Sequence, residues 1–281
     1  MVSRMKQSVK LILLAVLFCA YCTNAEEEDA TDPGIDEDST YVPGGANQLD
    51  PKRAGRMNGG TTVSIGDYPF VVTVIVKDGY GGEMYSVSAI VSNTQVLSTG
   101  YTVDPNQYSG GISSIKIRAG SKYQDKEGFI FVVSKTVTHP KYDPNDYPND
   151  FSVLTITGSF SGYPNVQPIA IETNEITFSP TNPTNCFVVG WGADSSNNII
   201  TLLSRADYKL ASDASCNSQS ATLQCFEPVS GSICYDNMGF PLVCNNRLYG
   251  VHPMIGVCQT GPVQFAKLSA ASMQAFQLHQ W

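Results

Sequence analysis

Three histidines (His139, His252 and His279) and six cysteines (Cys186, Cys216, Cys225, Cys234, Cys244 and Cys258) are the residues in the body of this chain whose types could carry acid–base, metal or redox chemistry. Their spacing narrows the choice. No two histidines stand at a metal-ligand spacing, and no C-x-x-C pair occurs among the six cysteines, so neither a zinc site nor any other metal enzyme is expected. An even cysteine count in an exported chain predicts three disulfides instead, because the export route is oxidising. His139 belongs to a His-Pro turn, His252 reads as a core histidine, and His279 reads as solvated near the C-terminus. No cofactor is expected. Pro183 spoils Asn182-Pro183-Thr184 as a glycosylation site.

The export assignment comes from the N-terminus. Arg4, Lys6 and Lys10 precede or flank an apolar run over residues 11–21, and Thr23-Asn24-Ala25 puts small residues where a signal peptidase cuts. The run is much shorter than the ~20 residues of a spanning helix. Residues 1–25 therefore read as a signal peptide, and the protein as secreted and extracellular, with no membrane attachment after signal removal. Residues 26–56 carry nine acidic groups among prolines and glycines, with few apolar side chains. Such a segment cannot bury enough surface to offset its ordering entropy and reads as a disordered, acidic pro-segment. It ends in Lys52-Arg53 and Arg56, so the Arg56–Met57 bond is a candidate cleavage site. Residues 57–281 are enough for one substantial domain with two cores. With 11 Lys plus Arg against 16 Asp plus Glu and no basic stripe along a face, that part is not expected to bind nucleic acid.

The elements that must position these groups read as strands. Short β-rich runs cover 70–76, 87–91, 115–119, 129–133, 152–156, 185–189, 206–210 and 241–243. Gly79-Tyr80-Gly81-Gly82, Asp104-Pro105-Asn106 and Asp143-Pro144-Asn145-Asp146 separate some of them as turns or loops. Residues 270–278 alone have a helical pattern. Many short strands imply an all-β sandwich or barrel, and periodicity says nothing more about function.

Six segments, in this order, resemble the chymotrypsin-like serine proteases. Gly59-Gly60 followed by Ile65-Gly66-Asp67-Tyr68-Pro69-Phe70 is similar to that family's mature N-terminus. The run from Ala89-Ile90-Val91 to Val96-Leu97-Ser98 is similar to the strand pair leading to the catalytic histidine. Thr138-His139-Pro140-Lys141-Tyr142 and Asn149-Asp150-Phe151 resemble the approach to the catalytic aspartate. Gly190-Trp191-Gly192 follows Cys186, Gly239-Phe240-Pro241-Leu242-Val243-Cys244 resembles the turn after the nucleophile, and a terminal helix follows the run from Pro262 to Ser269. The resemblance spans 57–281. It implies two antiparallel six-stranded β-barrels with a site between them and a short C-terminal helix. It also implies the pairs Cys186–Cys244, Cys216–Cys225 and Cys234–Cys258. A further family disulfide beside the histidine is replaced at both positions, by Ser86 and Thr102, as the loss of a real bridge requires.

Acyl transfer in this family needs a nucleophilic hydroxyl, an imidazole and an orienting carboxylate, with backbone N–H groups for the oxyanion. The resemblance places Asp150 as the carboxylate, Tyr101 at the histidine and Met238 at the serine. A phenol with pKa near 10 is a poor base at neutral pH, and a thioether cannot form an acyl intermediate. No catalytic residue set is therefore expected, and Asp150 reads as a structural hydrogen-bond anchor. Asp236 replaces the oxyanion-hole glycine. Asn237 replaces the aspartate that pairs with a new N-terminus. Ile255 and Val263 replace the pocket-wall glycines, and Ser232 stands at the pocket base. Tyr101 and Met238 either pack together over a closed site or form an apolar patch. The implied protein is a catalytically inactive homologue that binds a protease, a zymogen, an inhibitor or a substrate protein in an extracellular process, of immune or clotting type or in a reproductive secretion. An active hydrolase with a displaced catalytic set and a storage or structural secretion are the alternatives.

Overall fold

The computed structural model describes residues 54–55, 57, 59–193, 199–217, 220–234, 238–253 and 260–280. The described chain opens on two short strands, β1 (Ala54–Gly55) and β2 (Gly60–Thr62), which pair antiparallel. Between them Met57 is fully buried, and its carbonyl accepts the Gly60 N–H at 2.6 Å. The ordered sheet thus begins before Met57, where the sequence places the edge of the disordered segment.

The first barrel follows from period-two alternation. Its strands are β3 (Val71–Asp78), β4 (Glu83–Ile90), β5 (Gln95–Ser98), β6 (Ile112–Ala119), β7 (Phe129–Thr138) and β8 (Ser152–Ile156). Val72, Val74 and Val76 face one interior with Ile90, Val96, Ile117, Phe131 and Leu154. The order β3-β4-β5-β8-β7-β6 closes, which removes every free sheet edge. β7 runs five residues past the expected 129–133. Ser134, Lys135 and Thr136 are exposed, yet Lys135 and Thr136 still pair with Thr155 and Leu154 of β8 after a bulge. Their polarity hides the strand from a hydrophobicity pattern, because the backbone pairing does not depend on it.

The second barrel comprises β9 (Asn185–Ala193), β10 (Ile199–Leu210), β11 (Leu223–Ser230), β12 (Pro241–Cys244), β13 (Arg247–Val251) and β14 (Val263–Lys267). The ring runs β10-β11-β14-β13-β12-β9 and closes through β9–β10, with β2 added to β10. Four buried aromatics fill it. Phe265 meets Tyr208 and Phe226 edge-on at 5.7 and 5.4 Å, and Phe226 meets Tyr249 at 6.2 Å. Removing such a side chain from water contributes about 1.5–3 kcal/mol. The two phenols also have polar work: Tyr249 donates to Gln224 Oε1, and Tyr208 Oη accepts the Ile233 N–H at 2.9 Å. Cys186 and Cys244 face each other on β9 and β12 and are bonded; Cys216–Cys225 is bonded as well. Cys234 is disulfide-bonded, and its expected partner Cys258 lies outside the described residues.

A C-terminal helix, α1 (Ala271–Gln280), returns to the first barrel. His139, 3% exposed, holds it there: Nε2 bonds the Ser272 carbonyl at 3.2 Å and the ring lies 5.2 Å from Phe276. Nδ1 accepts the Lys141 N–H at 3.1 Å, which requires a neutral imidazole with its proton on Nε2. Burial pushes the His139 pKa below 6.5, the Ser272 carbonyl opposes that shift, and Lys141 adds to it. The neutral form is thus favoured in the folded state. This stability is fully present above about pH 6.5 and is lost as pH falls from there towards the depressed value. Thermal unfolding between pH 7.5 and 5 should show a larger fall in midpoint for the native protein than for His139→Gln. Equal falls would mean that His139 is not the titrating latch. No described helix is long and apolar enough to cross a membrane.

Candidate functional site at the seam of the barrels

The position expected of the histidine follows β5. Tyr101 opens a 3-10 turn, Tyr101–Val103, and is half-buried. Its backbone N–H donates to Asp150 Oδ1 at 2.9 Å. Asp150, 3% exposed, stands just before β8. The adjoining Asn149, in the left-handed region at φ 63°, accepts from the Ser272 hydroxyl of α1 at 2.8 Å. The Asn149–Asp150 pair is thereby tied to the turn at Tyr101 through Asp150 and to the helix through Asn149.

Met238 belongs to the other barrel and is 7% exposed. Its carbonyl accepts the Val87 N–H of β4 at 3.2 Å. Gly239 follows at φ 75°, where a Cβ would lie 2.2 Å from the Val87 carbonyl oxygen. Only glycine fits there, which brings the Met238 backbone hard against the first barrel. The link continues one residue back: Thr102 Oγ1 donates to Ser86 Oγ at 3.2 Å and contacts Thr99 Oγ1 at 2.7 Å. Tyr101, Asp150 and Met238 therefore gather at one seam, tied through Val87, Ser86 and Thr102.

The Ser86–Thr102 contact also tests the register. Two hydroxyls in bonding contact at the positions of a missing disulfide mark side chains that still face each other. Ser86→Cys with Thr102→Cys should oxidise to a bridge closing 16 residues of sequence separation and add about 3 kcal/mol. Mass spectrometry under non-reducing conditions reads the bond, and two persistent free thiols would show the register to be wrong.

Tyr142 is a site residue that spacing does not reveal. Its ring lies against Gly100, where a Cβ would come within 2.8 Å of it. Its hydroxyl donates to Asp104 Oδ2 at 3.4 Å. Burial raises the Tyr142 pKa well above 10, with Asp150 and Asp104 adding to the shift, so the phenol stays protonated. A glycine directly before Tyr101 was the available signal. His252 lies beside the turn at Gly239: its carbonyl accepts the Gly239 N–H at 3.0 Å, its N–H bonds the Phe240 carbonyl, and its ring meets Phe265 edge-on at 5.4 Å.

Of the expected pocket residues, Val263 is 1% exposed on β14 and Ser232 is 4% exposed. Asp236, Asn237, Ile255 and Arg56 lie outside the described residues. Among the described residues no three of histidine, cysteine, aspartate and glutamate converge as metal ligands would.

Two closed antiparallel barrels, with these positions at their seam, agree with what comparison finds. The family model for trypsin matches residues 57–273. The chain belongs to the trypsin family. Trypsin alpha of Drosophila erecta is 28% identical over 213 residues, which cover 72% of this chain and 78% of that protein. Trypsin alpha-4 of Lucilia cuprina is 27% identical over 212 residues, covering 72% and 78%. Among solved structures, the scabies mite inactivated protease paralogue S-D1 superposes with a TM-score of 0.65 at 20% identity, over 79% of this chain and 97% of the other. That likeness is one of fold.

Proposed function

We propose that this trypsin-family chain is a secreted, catalytically inactive homologue that acts by binding proteins. The observation that carries the proposal is the pair of side chains at the seam, a phenol at Tyr101 and a thioether at Met238. Asp150 is in place, but it accepts the Tyr101 backbone N–H at 2.9 Å and has no imidazole at that position to orient. In a hydrolase built on the same triad, loss of the serine or the histidine alone lowers turnover by about 10⁶. The curated relatives are named trypsins, so family membership alone assigns no loss of activity, and the proposal rests on the two side chains. The scabies mite paralogue is named as an inactivated protease, so this fold carries such proteins elsewhere.

Two disulfides in the second barrel support export, together with the leader over residues 1–25. The partners would be a protease, a zymogen, an inhibitor or a substrate protein. Cleavage after Arg56 would release the acidic segment without switching the domain. Met57 is already buried with the chain intact, and Asn237 offers a neutral amide where a new ammonium needs a carboxylate. The purified protein, before and after trypsin treatment and inhibition, should hydrolyse no member of a broad peptide library. Turnover that tracks the protein through two orthogonal columns would overturn the proposal and favour a displaced catalytic set.

A further inference from the structure

The ion pairs divide unevenly between the barrels. Arg205–Asp207, Lys209–Glu227, Arg247–Glu172 and Lys267–Glu175 are the four among the described residues, and all four cations belong to the second half of the chain. The first barrel and its loops hold Lys77, Lys116, Arg118, Lys122, Lys126, Lys135 and Lys141. Among the described residues, none of these seven reaches a carboxylate within ion-pair distance. Five of them lie on β6, β7 and the loop between, against only Asp125 and Glu127, in a protein of net charge −8.

The same hairpin exposes apolar surface. Ile130 and Val132 are 47% and 54% exposed, while Phe131 between them points into the barrel. Pairing sets Arg118 opposite Ile130 and Lys116 opposite Val132, and directly opposed side chains share one face of a sheet about 5 Å apart. Cations and aliphatics therefore alternate across two strands. Arg118 donates from Nη1 to the Glu127 carbonyl at 2.5 Å, but its buried Nε–H has no acceptor among the described residues. At the hairpin's end, the Lys122 and Lys126 ammoniums stand 5.0 and 4.4 Å from the centre of the Tyr123 ring.

We propose that the outer face of β6 and β7 docks an extended acidic segment of a partner protein. Its carboxylates would meet Lys116 and Arg118, and its apolar side chains would cover Ile130 and Val132. A sulfated polysaccharide would use the cations and leave the aliphatics in water, so the interleaving favours an acidic peptide with apolar residues. The inference deepens the proposed binding role and rests on it for the class of partner only.

The test is fluorescence anisotropy with the full secreted protein and a labelled synthetic peptide of alternating Glu and Leu, beside a Lys-for-Glu version and a labelled heparin fragment. Saturable binding of the acidic peptide alone is expected. Lys116→Glu should weaken it about tenfold and flatten its salt dependence. Ile130→Ser with Val132→Ser should weaken it about tenfold with the salt dependence kept. These side chains are exposed, and unchanged thermal midpoints confirm that the variants fold. No saturable binding, binding indifferent to either variant, or heparin binding that needs Lys116 but not the aliphatics would each overturn the inference. None of these outcomes bears on hydrolysis, which the peptide-library assay reads separately.

Discussion

Introducing the two groups that the resemblance places at these positions, Met238→Ser with Tyr101→His, should return little hydrolysis. Turnover on peptides with basic, aromatic or small side chains before the scissile bond is expected to stay at least about 100-fold below that of a trypsin, a loss of the size that follows when one oxyanion donor is made ineffective. The backbone is not the obstacle, since the Met238 carbonyl, Gly239 and the Asp150 carboxylate already bind the seam together. The obstacle is what surrounds them. The resemblance puts Asp236, which lies outside the described residues, where a developing oxyanion would need N–H donors and no competing charge. Val263 is buried, and the resemblance puts it and Ile255 at the two pocket walls. Branched side chains there would exclude the substrate's own side chain, so binding energy is lost along with chemistry. Steady-state kinetics on the double variant check this. A value of kcat/KM within about tenfold of an ordinary trypsin would show that Asp236, Ile255 and Val263 do not oppose catalysis.

Removing the Cys186–Cys244 bridge should have the largest effect on stability of the two described disulfides. It spans 58 residues of sequence, against 9 for Cys216–Cys225. A cross-link acts mainly by restricting the unfolded chain, so the expected losses are about 4 and about 3 kcal/mol. The longer bridge also joins β9 to β12, the strand that follows the turn at Gly239, and Tyr208 holds Ile233 on the other side of Met238 in sequence. Urea unfolding of Cys186→Ala with Cys244→Ala, beside Cys216→Ala with Cys225→Ala, measures both. A smaller loss for the first pair would contradict this ordering.

Much of the frame was legible because it depends on local chemistry in a fixed order. Asn149-Asp150-Phe151, Gly190-Trp191-Gly192 and Gly239-Phe240-Pro241 mark backbone positions that few residues can fill. At Gly239 the space for a Cβ is taken by the Val87 carbonyl. The described cysteine pairs followed from the same order. What stayed hidden depends on contacts between distant residues. The Tyr142 ring over Gly100 involves residues 42 positions apart, and neither is unusual alone. The burial of Met57 within an intact chain needs β1, β2 and β10 to meet, and no pattern within residues 54–62 announces that. The outer cations and aliphatics of β6 and β7 read as ordinary strand positions until their register set them opposite each other.

The proposed function holds that Tyr101 and Met238 leave the seam without a nucleophile or a base, and one measurement tests that proposal most directly. The purified protein is incubated with an excess of a fluorescent organophosphonate, beside a trypsin and a boiled sample, and intact mass is followed for hours. No added mass on this chain is expected while the trypsin is labelled to completion. Time-dependent, stoichiometric labelling that is lost on boiling would reveal a functioning nucleophile and contradict the account.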